Sequence, residues 1–122
     1  MKPDIVAPGD GVLSTFPAYG KYHSEADYSK AYQRNSGTSM ATPHVAGLAL
    51  LIKQKHKDYT PFDIRAALAN TADPVLYNGE PEDFYLQGPG RANVENAINT
   101  PALLQAIEPI SILDKKTLSR RM

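Results

Sequence analysis

The chain has 122 residues, 42% of them hydrophobic, and its 13 lysine and arginine residues balance its 13 aspartate and glutamate residues. This length and composition suit one ordinary domain with a hydrophobic core and argue against global disorder. The charge balance gives no reason to expect nucleic acid or an acidic membrane as a partner. The absence of cysteine excludes disulfide frameworks and thiolate metal sites.

Two short strands and a long loop are predicted before the first helix. Residues 4–7 predict a buried strand that ends at Pro8-Gly9, and residues 12–16 predict a second strand or hairpin arm. Residues 17–34 are polar and rich in tyrosine, which predicts a long surface loop. Loops of this length are often functional, but a plain insertion is an equal alternative.

A helix is predicted from Thr38 or Ser39 to about Lys57, and apolar residues occupy almost its whole circumference. Such a helix belongs in the middle of a protein larger than this chain. Its longest apolar run, over residues 45–52, is far too short to span a bilayer. We expect no membrane-spanning segment, and the residues after Met1 predict no signal peptide in this chain.

Shorter elements are predicted in the second half of the chain. Thr60, Pro61 and Asp63 have the order of an N-cap, a first helical residue and a capping box, and Asp73-Pro74 ends this second helix. The remaining predictions are a polar loop to residue 82, a strand over 84–86, a turn over 88–90, a short helix capped by Asn93, the start of a strand over 110–112 and disorder over 115–122.

Ser39 is the candidate nucleophile. It lies where a glycine-containing turn meets a helix, beside unpaired backbone N–H groups and the positive end of the helix dipole. Such N–H groups could stabilise a developing oxyanion. Pro43 removes the N–H that would bond the Ser39 carbonyl, which indicates an opened first turn.

None of the three histidines is an obvious base for Ser39. His44 follows it by five residues and should lie on another face of the helix, where we expect a buried, hydrogen-bonded side chain. His56 lies about 25 Å further along the helix and is expected to be solvated or paired with the dipole. His23 lies in the tyrosine-rich loop, where a surface position is favoured and reach to Ser39 stays open.

The run from Asn35 to Gly47, N-S-G-T-S-M-A-T-P-H-V-A-G, closely resembles the serine motif of the subtilisin-like serine proteases. The segment K-P-D-I-V-A-P-G over residues 2–9 resembles the strand and turn before that motif. Residues 60–71 are similar to the next helix of the family, and Q-G-P-G-R over 87–91 is similar to its closing turn. Together these matches cover roughly residues 2–100.

The resemblance implies an α/β, subtilisin-like parallel-sheet fold of which only about the last third is present. That third holds the central nucleophile helix, the second helix, the closing turn and the short helix. Residues 1–107 would form the C-terminal part of a peptidase domain. Residues 108–122 would be a tail, either disordered or the start of a following domain.

The implied activity is that of a serine endopeptidase, in which Ser39 attacks a peptide carbonyl and forms an acyl-enzyme. Gly37 would shape the nucleophile turn, and Thr38 would lie beside the Ser39 N–H that helps to hold the oxyanion. Met40 would flank the nucleophile, where oxidation could damage activity, or would simply pack in the core. The resemblance also implies an extracellular or cell-surface location, a polypeptide substrate and no cofactor, with no metal site identified here although calcium occurs in the family.

The triad aspartate and histidine, and the amide side chain of the oxyanion hole, belong to family segments that would precede Met1. We therefore expect this chain to be inactive alone and marginally folded without the missing N-terminal part of the domain. Two alternatives are an inactive split fragment that needs a partner chain and a stand-alone interaction protein without protease chemistry.

Overall fold

The computed structural model describes residues 2–17, 29 and 31–104. Within that part of the chain four helices and two small antiparallel hairpins form. In chain order the elements are β1 (Val12–Thr15), β2 (Tyr32–Asn35), α1 (Thr38–Lys55), α2 (Pro61–Asn70), β3 (Leu76–Tyr77), β4 (Glu80–Pro81), α3 (Phe84–Gln87) and α4 (Val94–Asn99).

The hydrophobic core lies where α1, α2 and α4 meet. Ile52 of α1 is fully buried there, against Ala67 and Leu68 of α2 and Ala97 of α4. Two of these four residues are alanines, so the helices can approach closely but bury little apolar area. The core formed by the described residues is therefore small, which agrees with the expectation of marginal stability.

Helix α1 is confirmed, and it ends two residues before the predicted Lys57, with His56 as its C-cap. Much of its apolar surface has no cover among the described residues, since Leu50 is 71% exposed and Leu51 is 48% exposed. This exposure agrees with the expectation that α1 belongs inside a larger protein.

The capping box predicted for α2 is confirmed. The Thr60 hydroxyl accepts a hydrogen bond from the Asp63 N–H (3.3 Å), and the Asp63 carboxylate accepts one from the Thr60 N–H (2.7 Å). Pro61 occupies the first turn, where its missing N–H is harmless. The predicted cap for α4 is also confirmed, because the Asn93 side chain accepts from the Asn96 N–H (3.0 Å).

Two predictions between residues 75 and 87 are wrong. The predicted polar loop contains the hairpin of β3 and β4, whose turn residues Asn78 and Gly79 have φ values of 51° and 87°. An Asn-Gly pair is a strong sequence signal for a two-residue hairpin turn, so this hairpin could have been predicted from Asn78 and Gly79. The predicted strand over 84–86 is the helix α3, because Asp83 caps it by accepting from the Tyr85 N–H (2.8 Å).

The first two predicted strands have different outcomes. β1 is confirmed as a hairpin arm, and its antiparallel partner β2 lies at the end of the predicted 17–34 loop. Residues 4–7 are only half-buried, and Val6 makes a single parallel bridge with Arg91. The buried strand prediction is therefore wrong for the described residues, in which Arg91 is the one bridge partner of this segment.

Some predictions fall on residues that the structure does not describe. These are the position of His23, most of the 17–34 loop, the boundary at residue 107, the strand start at 110–112 and the disordered end over 115–122. They remain predictions.

Asp4 joins the first segment of the chain to α2 and should make stability depend on pH. Lys2 and Arg65 both donate to its carboxylate. The hydrogen bond from Lys2 lowers the pKa of Asp4, and the charge of Arg65 lowers it further. A carboxyl with a lowered folded-state pKa stabilises the fold above its unfolded pKa and loses that contribution as pH falls through the folded pKa.

We therefore expect Asp4→Asn to lower the free energy of unfolding at neutral pH, with the difference from the parent chain disappearing in acid. Urea titrations at a series of pH values measure this. Asp58→Asn, which changes an exposed carboxylate before α2, is the matched control and should show no such closing gap. A constant difference between parent and Asp4→Asn at all pH values would contradict the assignment.

Candidate active site

The turn before α1 places Ser39 as the second residue of the helix, with an exposed side chain. Gly37 is the N-cap residue, with φ 151° and ψ 167° and no side-chain capping bond. Its carbonyl accepts from the N–H groups of Met40 (3.0 Å) and Ala41 (3.3 Å). Thr38 and Ser39 thus lie in the first helical turn, where N–H groups have no partner within the helix and point outward.

The backbone of residues 9–11 packs against this turn and forms a hydrogen bond with it. The Gly37 N–H donates to the Gly9 carbonyl (2.7 Å). A Cβ atom at Gly9 would lie 2.8 Å from the Gly37 carbonyl oxygen and 3.1 Å from the Ala41 Cβ. Only glycine therefore allows the two segments to approach this closely.

Side chains tie the same two segments together. The Ser36 hydroxyl donates to the Asp10 carboxylate (2.5 Å) and accepts from the Gly11 N–H (2.8 Å). The Arg34 guanidinium donates to the Gly11 carbonyl (2.6 Å). We call the contacts of Asp10, Gly11 and Ser36 the Asp10–Ser36 clamp.

His44 shares a cleft with Ser39 but bonds elsewhere. Its Nδ1 lies 2.8 Å from the Met40 carbonyl, and because a carbonyl only accepts, Nδ1 carries the proton. The side chain is exposed, so the predicted burial is wrong, although the predicted hydrogen bond is present. The cleft measures about 330 Å³ and is lined by Val12, Leu13, Ser14, Ser39, Met40, Pro43 and His44.

His56 has a structural role that the sequence did not reveal. Its ring stacks on Tyr59 with centroids 4.3 Å apart, and Nε2 lies 2.8 Å from the Ile98 carbonyl. Of the two predicted alternatives, a solvated side chain is wrong, since His56 is half-buried and links the end of α1 to α4, whereas pairing with the helix dipole stays a prediction for this C-cap residue. No local pattern signals this contact, which joins residues 42 positions apart.

The other proposed site residues surround the nucleophile turn. Met40 is half-buried and lines the cleft beside Ser39. The Thr38 carbonyl accepts from the Thr42 hydroxyl (2.9 Å) in the first turn of α1. Pro43 lies inside the helix and supplies no N–H to the Ser39 carbonyl.

Neither a metal cluster nor a membrane helix is found where the structure describes the chain. Among residues 2–17, 29 and 31–104, no three His, Asp or Glu side chains come together as metal ligands. In the same ranges, no helix has the length and apolar character needed to cross a bilayer.

The sequence matches a known family over most of its length. The model of the subtilase family matches residues 1–99. Subtilisin-like protease SBT4.3 of Arabidopsis thaliana is 38% identical over 112 residues, which is 88% of this chain and 15% of that protein. Minor extracellular protease Vpr of Bacillus subtilis (strain 168) is 38% identical over 105 residues, 85% of this chain and 12% of that protein. The chain therefore spans only a small part of these relatives.

Solved structures with similar sequences share the fold. Fervidolysin from Fervidobacterium pennivorans, a keratinolytic enzyme related to subtilisin, matches with a TM-score of 0.62 and 33% identity, over 80% of this chain and 15% of that one. Prenylagaramide maturation protease PagA matches with a TM-score of 0.56 and 31% identity, over 77% of this chain and 31% of that one.

Proposed function

The chain belongs to the subtilase family, and we propose that it carries the nucleophile of a serine endopeptidase, Ser39. The predicted fold class, a partial subtilisin-like α/β fold, is confirmed by the structural neighbours. The observation that carries the proposal is the position of Ser39, exposed in the first turn of α1 and at the edge of a cleft. A hydroxyl there can reach a substrate, and the neighbouring N–H groups can face its carbonyl oxygen.

The proposed reaction is acyl transfer from a polypeptide. The Ser39 Oγ attacks the peptide carbonyl while a general base takes the hydroxyl proton, and the carbonyl oxygen becomes negative. The Ser39 N–H, at the positive end of α1, helps to stabilise that oxyanion. The amine leaves with a proton from the base, and water then releases the acyl group from Ser39.

We propose that the base and its aspartate come from polypeptide outside the described residues. Among the described residues His44 bonds to the Met40 carbonyl rather than to Ser39, which lies five residues away on the helix, and His56 is bound at the far end of α1. In subtilisin, loss of the histidine alone costs about a million-fold in kcat, as much as loss of the whole triad. The chain alone should therefore be essentially inactive.

The exposed apolar surface of α1 supports association with further polypeptide. Leu50 and Leu51 are largely uncovered, and burying them would add to stability. The same surface would serve an inactive fragment that only binds a partner chain, so the test must separate catalysis from association. An extracellular location is proposed from the relative named as an extracellular protease.

A fluorophosphonate probe that acylates activated serines tests the proposal. We define the complemented protease as this chain bound to the rest of a subtilase domain, which is proposed to carry the aspartate and histidine, and the corresponding part of fervidolysin is the first partner to test. We expect no labelling of the chain alone and labelling of Ser39 in the complemented protease, located by peptide mass spectrometry. Rapid labelling of Ser39 in the chain alone would refute the need for a second part. A folded complex without labelling would favour the inactive fragment.

A further inference from the structure

The exposed side chains of Asp10 and Ser36 lie next to the turn that precedes Ser39, and they do not line the cleft. Ser36 donates to Asp10 and accepts from the Gly11 N–H, so its hydroxyl hydrogen and a lone pair both have partners. We propose that Asp10 and Ser36 are positioning residues, which hold Ser39 in the geometry needed for acylation. This inference rests on the proposed function of Ser39.

The clamp adjoins Gly37, a residue whose backbone is intrinsically flexible. Gly37 has a φ of 151°, carries no Cβ and receives no side-chain cap. Glycine has the largest conformational freedom of any residue, and this one is two positions before the proposed nucleophile. Without external contacts, the orientation of the first turn of α1 would be poorly defined.

Two tethers on adjacent residues anchor the peptide that enters Gly37 to residues 9 and 10. The Gly37 N–H is bound to the Gly9 carbonyl at 2.7 Å, and the Ser36 hydroxyl is bound to Asp10 at 2.5 Å. One tether alone would fix the distance between the segments and still allow the turn to rotate about it. Together they fix the orientation of the peptide between Ser36 and Gly37, two residues before Ser39.

Asp10 makes the Ser36 contact directional. A carboxylate accepts a charge-assisted hydrogen bond, which is stronger than a neutral one. The Asp10 carboxylate therefore orients the Ser36 hydroxyl hydrogen toward itself, and this leaves a lone pair of the Ser36 oxygen free to accept from the Gly11 N–H. An alanine at position 36 would lose both contacts, whereas a threonine would retain the hydroxyl.

The expected effect of the clamp is on rate rather than on binding. Catalytic groups must be held within about 0.5 Å of their productive positions, and a misplacement of about 1 Å can cost roughly a hundredfold in rate. Asp10 and Ser36 touch no substrate position in the cleft described above. Both side chains are exposed, so their removal leaves the core of α1, α2 and α4 intact.

Labelling kinetics of the complemented protease test the inference. For Ser36→Ala we expect the maximal rate of Ser39 labelling to fall by about tenfold, while the probe concentration at half-maximal rate changes by no more than about twofold. Ser36→Thr should recover most of the rate. Thr15→Ala, which removes an exposed hydroxyl from β1 outside the clamp, is the matched control. An undiminished maximal rate in Ser36→Ala, or no recovery in Ser36→Thr, would overturn the inference.

Amide hydrogen exchange separates positioning from general destabilisation. In Ser36→Ala the Gly37 N–H should exchange faster, whereas the His56 N–H, bonded to the Ile52 carbonyl at 2.9 Å beside the core, should keep the parent rate. Equal acceleration at both amides, or none at Gly37, would overturn the inference. Ser39→Ala tests the proposed function separately, because labelling that persists in that variant refutes Ser39 as the nucleophile and leaves the exchange result standing.

Discussion

Replacing Ser39 by alanine is expected to lower kcat of the complemented protease by about a million-fold, with little change in KM. The alanine removes the Oγ that forms the acyl-enzyme and retains the backbone N–H groups and the cleft that hold the substrate. Some rate above that of water should therefore remain, as it does in subtilisin without its nucleophile. Steady-state cleavage of a chromogenic peptide measures the loss, and Thr15→Ala is again the hydroxyl control.

The His44→Ala variant tests whether His44 is the base that accepts the Ser39 proton. His44 lines the same cleft, but its Nδ1–H is bonded to the Met40 carbonyl. We expect its removal to lower kcat by less than about a hundredfold, because the base must be a different histidine. A million-fold loss in His44→Ala would identify His44 as the base and would remove the need for a second polypeptide. A loss below about a hundredfold in Ser39→Ala would indicate a different nucleophile.

The sequence predicted those parts of the fold that local chemistry decides. The start of α2 follows from Thr60, Pro61 and Asp63, three residues within one turn, and α4 follows from the Asn93 cap in the same way. Ser39 could be placed at a helix start because Gly37 lies just before it and the apolar run follows it. In each case the deciding contacts lie within about one helical turn of sequence.

The failures have two causes, local signals that were overlooked and contacts between distant residues. Strand and helix preferences over Phe84–Gln87 are nearly balanced, and the Asp83 cap decides for a helix. The strand at residues 4–7 depends on neighbours that the described residues do not supply. The clamp could not be predicted either, because it joins Asp10 to Ser36, 26 positions away, and neither residue has a distinctive local pattern.

Gly90→Ala should cause a large loss of stability in the described fold. Gly90 is buried with a φ of 123°, and a Cβ there would overlap the Asp73 carbonyl, with the carbonyl carbon 2.9 Å away. Asp73 cannot retreat without breaking its two backbone hydrogen bonds with Arg91 (2.9 and 2.7 Å). Backbone strain and steric overlap together should cost about 3 kcal/mol or more, a large share of the stability of a small domain.

Gly47→Ala is the matched control, and it should act in the opposite direction. Gly47 lies in the middle of α1, and a Cβ there would meet no atom within 4 Å among the described residues. Alanine is favoured over glycine inside a helix by about 1 kcal/mol, so urea unfolding of the chain should show a gain of roughly that size. If the partner polypeptide covers this face of α1, the new methyl group contacts it in the complemented protease. A gain that shrinks or reverses there would locate the partner on this helix face, whereas an equal gain in both samples would place it elsewhere.

If Gly90→Ala instead unfolds at the same urea concentration as the parent chain, the close approach of Gly90 to Asp73 is not required for the fold.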